Sequence, residues 1–365
     1  MQASNDNIIN SKSIPKFDEN HYRKGKILTK RQLTKQQRRR IDQNQVNANA
    51  EINALEEVDQ EKKCGDVNLE KYGTVIASYG KQVDVESTNT SKKEVKRCHL
   101  RANLPVIVSG DKVTWEDRGI NGIVIAQHPR VTQICRPDNR GRIRPIAANI
   151  DRIAIVIAPF PEPHSNLIDR YIVASKHQSI QPFLILNKAD LIETGNSEML
   201  LTLVQKYKEL GYDYFLVSTK NGDGMNKLET YLKKFTSVLV GQSGVGKSSL
   251  LNKLLAEVKI TVGDLSESKK KGKHTTTTSR LFHLKNGGSV IDSPGIREFG
   301  LWHLDSHTIA EGFIEFSIYL GKCKFRNCNH EQDLGCALVE AVDAGKIERE
   351  RFDSYLHIIN SIKVG

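Results

Sequence analysis

Residues 236–251 have the sequence TSVLVGQSGVGKSSLL, and residues 183–191, which precede them, have the sequence FLILNKADL. The first stretch contains the complete pattern G-x-x-x-x-G-K-[ST], between a strand-like run and a helix-like run. Glycines let the backbone wrap closely round phosphate groups, and the start of the following helix adds partial positive charge. The pattern predicts a phosphate-binding loop whose nucleotide contacts are Gly241, Gln242, Ser243, Gly244, Val245, Gly246, Lys247, Ser248 and Ser249.

Two downstream segments complete the phosphate end of such a site. Lys247 is expected to reach the β- and γ-phosphates, and Ser248 is expected to bind Mg²⁺. The sequence DSPG at residues 292–295 follows a strand-like run, which suits Asp292 to a second Mg²⁺ contact and makes Gly295 a nucleotide contact. Between the phosphate loop and DSPG, the segment SESKKKGKHTTTTSR can close over the γ-phosphate and supply Mg²⁺ with one of its four threonines, here assigned to Thr278. The alternative for DSPG is an ordinary turn, and the alternative for the threonine segment is a solvated loop.

The second quoted stretch indicates which base is bound. Asp190 of NKAD can accept paired hydrogen bonds from the ring N–H and amino group of guanine, whereas adenine would leave this carboxylate unpaired. Lys188 can pack along the base, and Asn187 can tie this loop, which also includes Ala189, to the phosphate loop. A further segment is expected to contact the base from its other side. It comprises Ser218, Thr219 and Lys220. Joined to the phosphate loop, NKAD favours GTP over ATP.

The order of these segments is rotated relative to the usual guanine-nucleotide-binding protein, in which the phosphate loop comes first. From about residue 147, buried strand-like runs alternate with helix-like runs, which predicts an α/β domain with a parallel sheet. Ligand loops of such a sheet lie at the carboxyl ends of its strands, whatever their order along the chain. Because NKAD, STK, the phosphate loop, the threonine loop and DSPG keep one cyclic order, the sequence predicts a circularly permuted domain.

Patterning divides the rest of the chain. Residues 1–66 are basic and rich in Gln and Asn, which predicts a disordered or partly helical arm that either touches RNA or only aids solubility. Residues 67–145 contain five or six short alternating runs, which predicts a small β-barrel of oligonucleotide-binding (OB) or SH3-like type. The permuted α/β domain is placed at residues 146–303. Residues 304–365 are predicted to form short helices around a cysteine/histidine cluster.

Four potential metal ligands lie in this last segment: Cys323, Cys328, His330 and Cys336. Three thiolates and one imidazole complete a tetrahedral Zn²⁺ site with no open position, so one structural zinc ion per chain is predicted. The spacing is not the common C-x₂-C, and free thiols are the alternative. Lys324 and Arg326, inside the cluster, can present positive charge to RNA.

The bulk properties predict a cytoplasmic protein. Of 365 residues, 38% are hydrophobic and 27% are charged, and no apolar run approaches the length of a membrane span. The start of the chain lacks a secretory-signal pattern, and three further cysteines are scattered, at Cys64, Cys98 and Cys135. The net charge of +11 favours a polyanionic partner, with a well-solvated surface as the alternative. A monomer is the default expectation, and isolated histidines are predicted to be structural: His99, His164, His283 and His303.

The circular order of the motifs, between a barrel and a cysteine/histidine module, resembles the RsgA (YjeQ/EngC) family of ribosome small subunit-dependent GTPases. The matching stretches are IAANIDRIAIVIAP, NKADL, GQSGVGKSSL, GKHTTTTSRL, IDSPGIREFGLWHL and CKFRNCNH, within roughly residues 67–350. The resemblance implies an OB barrel, a permuted GTPase domain and a zinc-binding domain. It also implies a Mg²⁺-dependent GTPase that binds rRNA, is stimulated by the small (30S) ribosomal subunit and acts late in that subunit's maturation.

Hydrolysis requires a water molecule aligned on the γ-phosphate. Many GTPases place a glutamine directly after D-x-x-G, but this chain has Ile296 there. His274 is the candidate catalytic residue, because an imidazole can polarise water near neutral pH and the family resemblance points the same way. A histidine that only contacts phosphate or RNA is the alternative.

Two other functions stay open at this point. The first is a non-catalytic rRNA-binding assembly module whose affinity is tuned by guanine nucleotide. The second is a P-loop kinase or ATPase, against which NKAD argues.

Overall fold

The computed structural model describes residues 70–88, 94–138, 140–192, 197–255, 279–292, 301, 304–331 and 334–363. These residues belong to one compact unit, Asn68–Gly365. The predicted arm at residues 1–66 lies outside the described residues, as do His274, Thr278 and Gly295. None of the helices in the described ranges is long and apolar enough to cross a membrane.

Five strands close into a barrel at the start of the described chain. They are β1 (Lys71–Ser78), β2 (Gln82–Ser87), β3 (Val95–Leu100), β4 (Lys112–Arg118) and β5 (Asn121–Gln127). The pairing order is β1-β2-β3-β5-β4, and β4 pairs back onto β1; only the β3–β5 pair is parallel. Alternate side chains point inward, so Val83, Val85, Trp115 and Val124 are fully buried in the barrel core. This is an OB-like barrel, as the family resemblance implies.

The sixth strand-like run does not join the barrel. β6 (Gln133–Pro137) instead pairs with β7 (Ile143–Ala148) as a separate two-stranded hairpin. The preceding residue Arg130 donates from Nε to the buried carboxylate of Asp111 over 2.7 Å. The barrel is already closed by the β1–β4 pair, so β6 finds no free edge there.

The α/β domain contains six strands of the same continuous sheet. They are β8 (Arg152–Ile157), β9 (Gln181–Leu186), β10 (Tyr214–Leu216), β11 (Thr236–Val240), β12 (Arg280–His283) and β13 (Ser289–Asp292). Their spatial order is β10-β9-β8-β11-β13-β12. All neighbouring pairs are parallel except β12–β13, which are joined by a short turn and therefore run antiparallel.

Helices cover both faces of this sheet. α1 (Ser165–His177) and α2 (Ser197–Glu209) pack on one face, while α3 (Met225–Leu232) and α4 (Lys247–Leu255) pack on the other. Both faces of strand β8 are therefore apolar. Ile153 and Ile155 face the first pair of helices, and Ala154 and Val156 face the second. The carboxyl ends of β8, β9, β10, β11 and β13 therefore meet at one edge.

A small helical module follows the sheet. It contains α5 (Ser306–Glu311), α6 (Ala337–Asp343) and α7 (Arg349–Lys363). These helices pack against α1 as part of the larger core cluster, through aromatic side chains such as Phe313, Phe316 and Tyr355. At fifteen residues, α7 is longer than the short helices predicted for this segment.

Candidate active site

The phosphate loop starts where β11 ends. Gly241 has a φ of 138°, and an added Cβ would lie 2.2 Å from the carbonyl oxygen of Val156 on the neighbouring strand. Gly246 has a φ of 91°, and its added Cβ would lie 2.4 Å from Nδ2 of Asn187. Both positions therefore require glycine. α4 begins immediately afterwards at Lys247, which directs its first N–H groups towards the loop.

The side chain of Lys247 folds back over this loop. Its Nζ donates to the carbonyl oxygen of Gly241 over 2.7 Å and also to that of Gln242. An ammonium group held over a ring of backbone N–H groups is suited to the β- and γ-phosphates of a nucleotide.

The NKAD loop is joined directly to the phosphate loop. Asn187 is fully buried, and its Nδ2 donates to the carbonyl oxygen of Val245 over 3.0 Å. Lys188, with a left-handed φ of 59°, donates from Nζ to the carbonyl oxygens of Gly244 and Phe160, each over 2.8 Å. Two motifs 54 positions apart, at Asn187 and Gly241, thus form one continuous surface.

The carboxylate of Asp190 is oriented by the next strand's loop. The buried Ser218 donates from Oγ to Asp190 Oδ1 over 2.6 Å, and Lys220 Nζ lies 4.0 Å from Oδ2. The Ser218 hydrogen bond and the two nearby lysines hold the pKa of Asp190 below its ordinary value. An ionised carboxylate with a fixed direction can accept the paired N–H donors of guanine. Thr219, between Ser218 and Lys220, is half-buried.

The predicted Mg²⁺ ligands that the structure describes lie at the same edge. β13 pairs in parallel with β11, so Asp292 at its end lies on the side of the sheet where the phosphate loop leaves β11. Ser248 and Ser249 are exposed in the first turn of α4. The remaining predicted contacts, Gly295, Thr278 and His274, lie outside the described residues and stay predictions.

One contact of this site carries no sequence signal. The carbonyl oxygen of Phe160, in the loop after β8, accepts a hydrogen bond from Lys188 beside the phosphate loop. A main-chain carbonyl can come from any residue type, so no motif could have indicated it.

The four predicted metal ligands converge in the C-terminal module. Nδ1 of His330 lies 3.4 Å from Cys323 Sγ, 3.5 Å from Cys328 Sγ and 3.6 Å from Cys336 Sγ. All four ligand atoms lie within 4.8 Å of one another. A tetrahedral zinc ion with ordinary bond lengths requires a nitrogen–sulfur separation of about 3.6 Å. The cluster therefore fits one four-coordinate Zn²⁺ ion.

Surrounding structure holds these ligands in place. His330 has a left-handed φ of 61°, and the backbone N–H of Ala337 donates to Cys323 Sγ over 3.4 Å. Tyr355 on α7 donates to the carbonyl oxygen of Asn329, between two of the ligands, over 3.1 Å. Supporting hydrogen bonds of this kind are typical of metal sites.

Of the isolated histidines, His283 has a clear structural contact. Its Nε2 lies 2.6 Å from Glu86 Oε2, and its Nδ1 lies 3.0 Å from Ser289 Oγ. It therefore joins the barrel strand β2 to the α/β sheet.

Comparison with known proteins is consistent with this geometry. A model of the family described as RsgA GTPase matches residues 127–302. Curated relatives named small ribosomal subunit biogenesis GTPase RsgA include one from Pseudomonas putida, 50% identical over 92% of this chain and 98% of its own length, and one from Pseudomonas aeruginosa, 51% identical with the same coverage.

Two solved structures have the same architecture. YjeQ from Thermotoga maritima superposes with a TM-score of 0.67 at 28% identity, covering 81% of this chain and 99% of its own. YloQ, described as a circularly permuted GTPase, has a TM-score of 0.65 at 26% identity, covering 81% of this chain and 96% of its own.

Proposed function

This chain belongs to the RsgA family of GTPases, and from that membership we propose that the small (30S) ribosomal subunit stimulates its GTP hydrolysis late in subunit maturation. The observation that carries the proposal is the match to relatives of that name over 92% of this chain and 98% of theirs. The proposed setting is the cytoplasm, where bacterial ribosomes are assembled, and the proposed active form is a monomer.

Within the site, each residue has a distinct proposed role. Asp190 and Lys188 hold the guanine base, and Lys247 holds the β- and γ-phosphates. Ser248, Asp292 and Thr278 hold Mg²⁺, which neutralises charge on the phosphate oxygens when it is bound. The contacts of Asn187 and Lys188 with the phosphate loop support this arrangement, because they fix the separation between base and phosphates before nucleotide enters.

We assign the orientation of the attacking water to His274. Ile296 has no polar atom for this purpose, and a neutral imidazole can accept a proton or a hydrogen bond from water. Replacement by alanine should leave GDP binding intact and abolish subunit-stimulated turnover; wild-type turnover in His274→Ala would refute the assignment.

Binding to rRNA is proposed for two exposed basic segments. The β6–β7 hairpin carries Arg140, Arg142 and Arg144, whose positions are set by Asp138: this carboxylate accepts hydrogen bonds from the backbone N–H groups of Arg140 and Arg142 over 2.8 and 3.0 Å. These contacts lower the pKa of Asp138 to about 2. The guanidinium groups of Arg142 and Arg144 also contact Asp138, over 3.1 and 3.3 Å, and both side chains stay partly exposed, which suits them to phosphate contacts.

The second basic segment lies in the cysteine cluster. Lys322, Lys324 and Arg326 are all exposed there, and Phe325 beside them is about half-exposed (51%). We propose that a structural Zn²⁺ ion on Cys323, Cys328, His330 and Cys336 presents this loop to rRNA.

A non-catalytic rRNA-binding module tuned by guanine nucleotide is the second candidate function. The exposed basic segments favour it, since they require no hydrolysis. It differs from the main proposal in one outcome: RNA binding would be strong, and phosphate release would stay slow with the subunit present.

The test is phosphate release from GTP and from ATP, each alone, with purified small subunits and with purified large subunits. Slow turnover of GTP that only small subunits accelerate, with no turnover of ATP, is the expected result. Equal turnover without subunits, or equal acceleration by large subunits, would contradict the proposed trigger.

A further inference from the structure

The barrel meets the α/β domain beside one of the proposed Mg²⁺ ligands. β12 and β13 run antiparallel, and their register places Arg280, the first residue of β12, opposite Asp292, the last residue of β13. Arg280 is also the residue through which β12 pairs with the barrel strand β1, at Ala77. Because neighbouring strands lie about 5 Å apart, the backbone of Asp292 is only two strand spacings, about 10 Å, from the barrel.

One barrel side chain contacts the residue before Arg280. Ser109 is fully buried in the connection between β3 and β4, and its Oγ donates to the main-chain carbonyl oxygen of Ser279 over 2.6 Å. The carbonyl oxygen of Ile76 lies 3.4 Å from the same Oγ. A hydroxyl group has one proton, so the shorter contact is the principal hydrogen bond. Ser109 therefore fixes the backbone directly before β12 begins.

The backbone that carries Ser109 is itself held firmly. The N–H of Ala148, at the end of β7, donates to the carbonyl oxygen of Ser109 over 3.0 Å, and the N–H of Gly110 donates to that of Val75 over 2.8 Å. Gly110 has a φ of 93°, and an added Cβ would lie 2.0 Å from the carbonyl oxygen of Ala148 and 3.3 Å from Cδ1 of Ile291. This position requires glycine, and it brings the barrel against β13 as well as β12.

Asp292 depends on β12 for its pairing in the sheet. The pairing of β13 with β11 ends at Ile291, whereas Asp292 pairs with Arg280 on β12. Mg²⁺ requires near-octahedral oxygen ligands at about 2.0–2.1 Å, so a small shift of this strand end weakens its binding. Ser109 supports Asp292 through two successive contacts, first with Ser279 and then through the neighbouring Arg280.

We infer that Ser109 is a positioning residue for the Mg²⁺ end of the nucleotide site. Its hydrogen bond to Ser279 holds the start of β12, and the start of β12 holds Asp292. The barrel thereby contributes to Mg²⁺ affinity without contacting the metal or the nucleotide. This inference rests on the proposed function in taking Asp292 as a Mg²⁺ ligand.

Equilibrium binding of a fluorescent, non-hydrolysable GTP analogue to the full chain tests the inference, with Mg²⁺ present and with EDTA in its place. Ser109→Ala should weaken binding in Mg²⁺ about 5-fold, the effect of one lost hydrogen bond. Binding in EDTA should stay unchanged, because NKAD and the phosphate loop keep their contacts. Equal affinity of Ser109→Ala and wild type in Mg²⁺ would overturn the assignment.

A matched variant separates positioning from general loosening of the barrel. Ser78 Oγ donates to the carbonyl oxygen of Ile107 over 2.9 Å, which is the same type of bond with both partners in the barrel. Ser78→Ala should lower thermal stability and leave the response to Mg²⁺ unchanged. An equal loss of Mg²⁺-dependent binding in both variants would refute a specific role for Ser109.

A second replacement keeps the test valid if Ser109→Ala does not fold. Ser109→Cys preserves most of the side-chain volume but supplies only a weak donor, so it should show the same loss in Mg²⁺ and none in EDTA. Wild-type affinity of Ser109→Cys in Mg²⁺ would also overturn the assignment.

A double-mutant cycle tests the connection to Asp292. Asp292→Asn should remove the difference between Mg²⁺ and EDTA, and adding Ser109→Ala should then cause no further loss, because both act through one ligand. A further loss of about 5-fold would show independent effects and refute the connection.

The same variants distinguish failure of this inference from failure of the proposed function. A wild-type response to Mg²⁺ in Asp292→Asn would remove Asp292 from the proposed Mg²⁺ site, and the inference would fall with it. A normal effect of Asp292→Asn together with no effect of Ser109→Ala would refute the inference alone. Failure of the subunit to stimulate hydrolysis would refute the proposed trigger alone, since these binding measurements contain no subunit.

Discussion

At the scale of single residues, the side chain of Asn187 lies directly against the backbone of Gly246. The amide of Asn187 occupies the space where any side chain at residue 246 would have to lie, and it also donates to Val245. The base-reading motif therefore imposes glycine on the phosphate loop through direct contact.

Gly246→Ala should abolish nucleotide binding. The new Cβ would lie 2.4 Å from Asn187 Nδ2 at a φ of 91°, so either the loop or the amide has to move. We expect GDP affinity to fall at least about 100-fold while the barrel stays folded. Titration with fluorescent GDP checks the affinity, and circular dichroism checks the fold; affinity within 3-fold of wild type would contradict this packing argument.

Ser218→Ala should weaken guanine recognition. The hydroxyl orients Asp190, so we expect about 5- to 10-fold weaker GDP binding at pH 7. The hydroxyl also stabilises the ionised carboxylate, which lowers its pKa. Without it the pKa rises towards the ordinary value, and GDP binding should begin to fall at a higher pH than in the wild type.

Calorimetric titration with GDP from pH 7 down to pH 3 measures both effects. Ser237→Ala is the control, because this buried hydroxyl on β11 has no hydrogen-bond partner among the described residues. Identical pH profiles for Ser218→Ala and wild type would remove Ser218 from the site.

The glycines and the lysine of the phosphate loop could be predicted from the sequence because their chemistry depends on residue type. The Phe160 carbonyl could not, because it acts through the main chain, which every residue type supplies.

At the scale of elements, the β6–β7 hairpin combines regular pairing with a dense row of arginines. Strand pairing fixes the backbone, and Asp138 fixes the turn. The side chains of Arg142 and Arg144, both paired with Asp138, remain 57% and 42% exposed.

Loss of hairpin arginines should reduce the salt dependence of RNA binding. Arg142→Ala is expected to weaken binding to small-subunit rRNA and to lower the slope of log K against log salt by about 0.7 to 0.9, the value for one lost phosphate contact. Filter binding at several salt concentrations measures the slope. Arg349→Ala, of similar exposure but in the C-terminal module, is the control; an unchanged slope in Arg142→Ala would exclude this contact.

Metal removal should act on one module. A strong chelator is expected to release one zinc ion per chain and to expose the backbone amides of α6 and α7 to hydrogen exchange, while β1 to β5 keep their protection. Mass spectrometry measures both quantities. Cys135→Ser, outside the cluster, should keep its zinc, whereas Cys328→Ser should lose it. Zinc-free wild-type protein with unchanged exchange would contradict a structural metal.

The helices and buried strands of the α/β domain could be predicted because their period and apolar runs are long. The antiparallel direction of β12 and the exclusion of β6 from the barrel could not. Both depend on which sheet edge is free after the other strands have paired, and no local pattern contains that information.

At the scale of the whole molecule, the barrel and the α/β domain share one sheet. β12 pairs with β13 on one side and meets β1 at Ala77 and Arg280 on the other. The Ser109 hydroxyl donates to the Ser279 carbonyl over 2.6 Å, and Glu86 contacts His283. The sequence predicted both domains, but this junction depends on single backbone and side-chain contacts between distant segments.

Bound nucleotide should therefore stabilise the barrel as well as the α/β domain that binds it. Trp115 is fully buried in the barrel and reports on it once Trp302 is replaced by phenylalanine. Saturation at 100 times Kd stabilises a two-state unit by about 2.7 kcal/mol, so the Trp115 transition should rise by several degrees with GDP. A Trp115 transition that GDP leaves unmoved would show that the barrel unfolds independently.

The most direct test of a single guanine site built from motifs in rotated order is the base preference of Asp190→Asn. Asparagine can no longer accept both guanine N–H donors, but it can donate to the 2-oxo group of xanthine. The affinity for GDP should fall at least about 100-fold, and the variant should bind xanthosine diphosphate more tightly than GDP. Lys247 and the phosphate loop are unchanged in this variant. Unaltered GDP affinity in this variant would mean that NKAD does not read the base, and that the two motifs do not form one site.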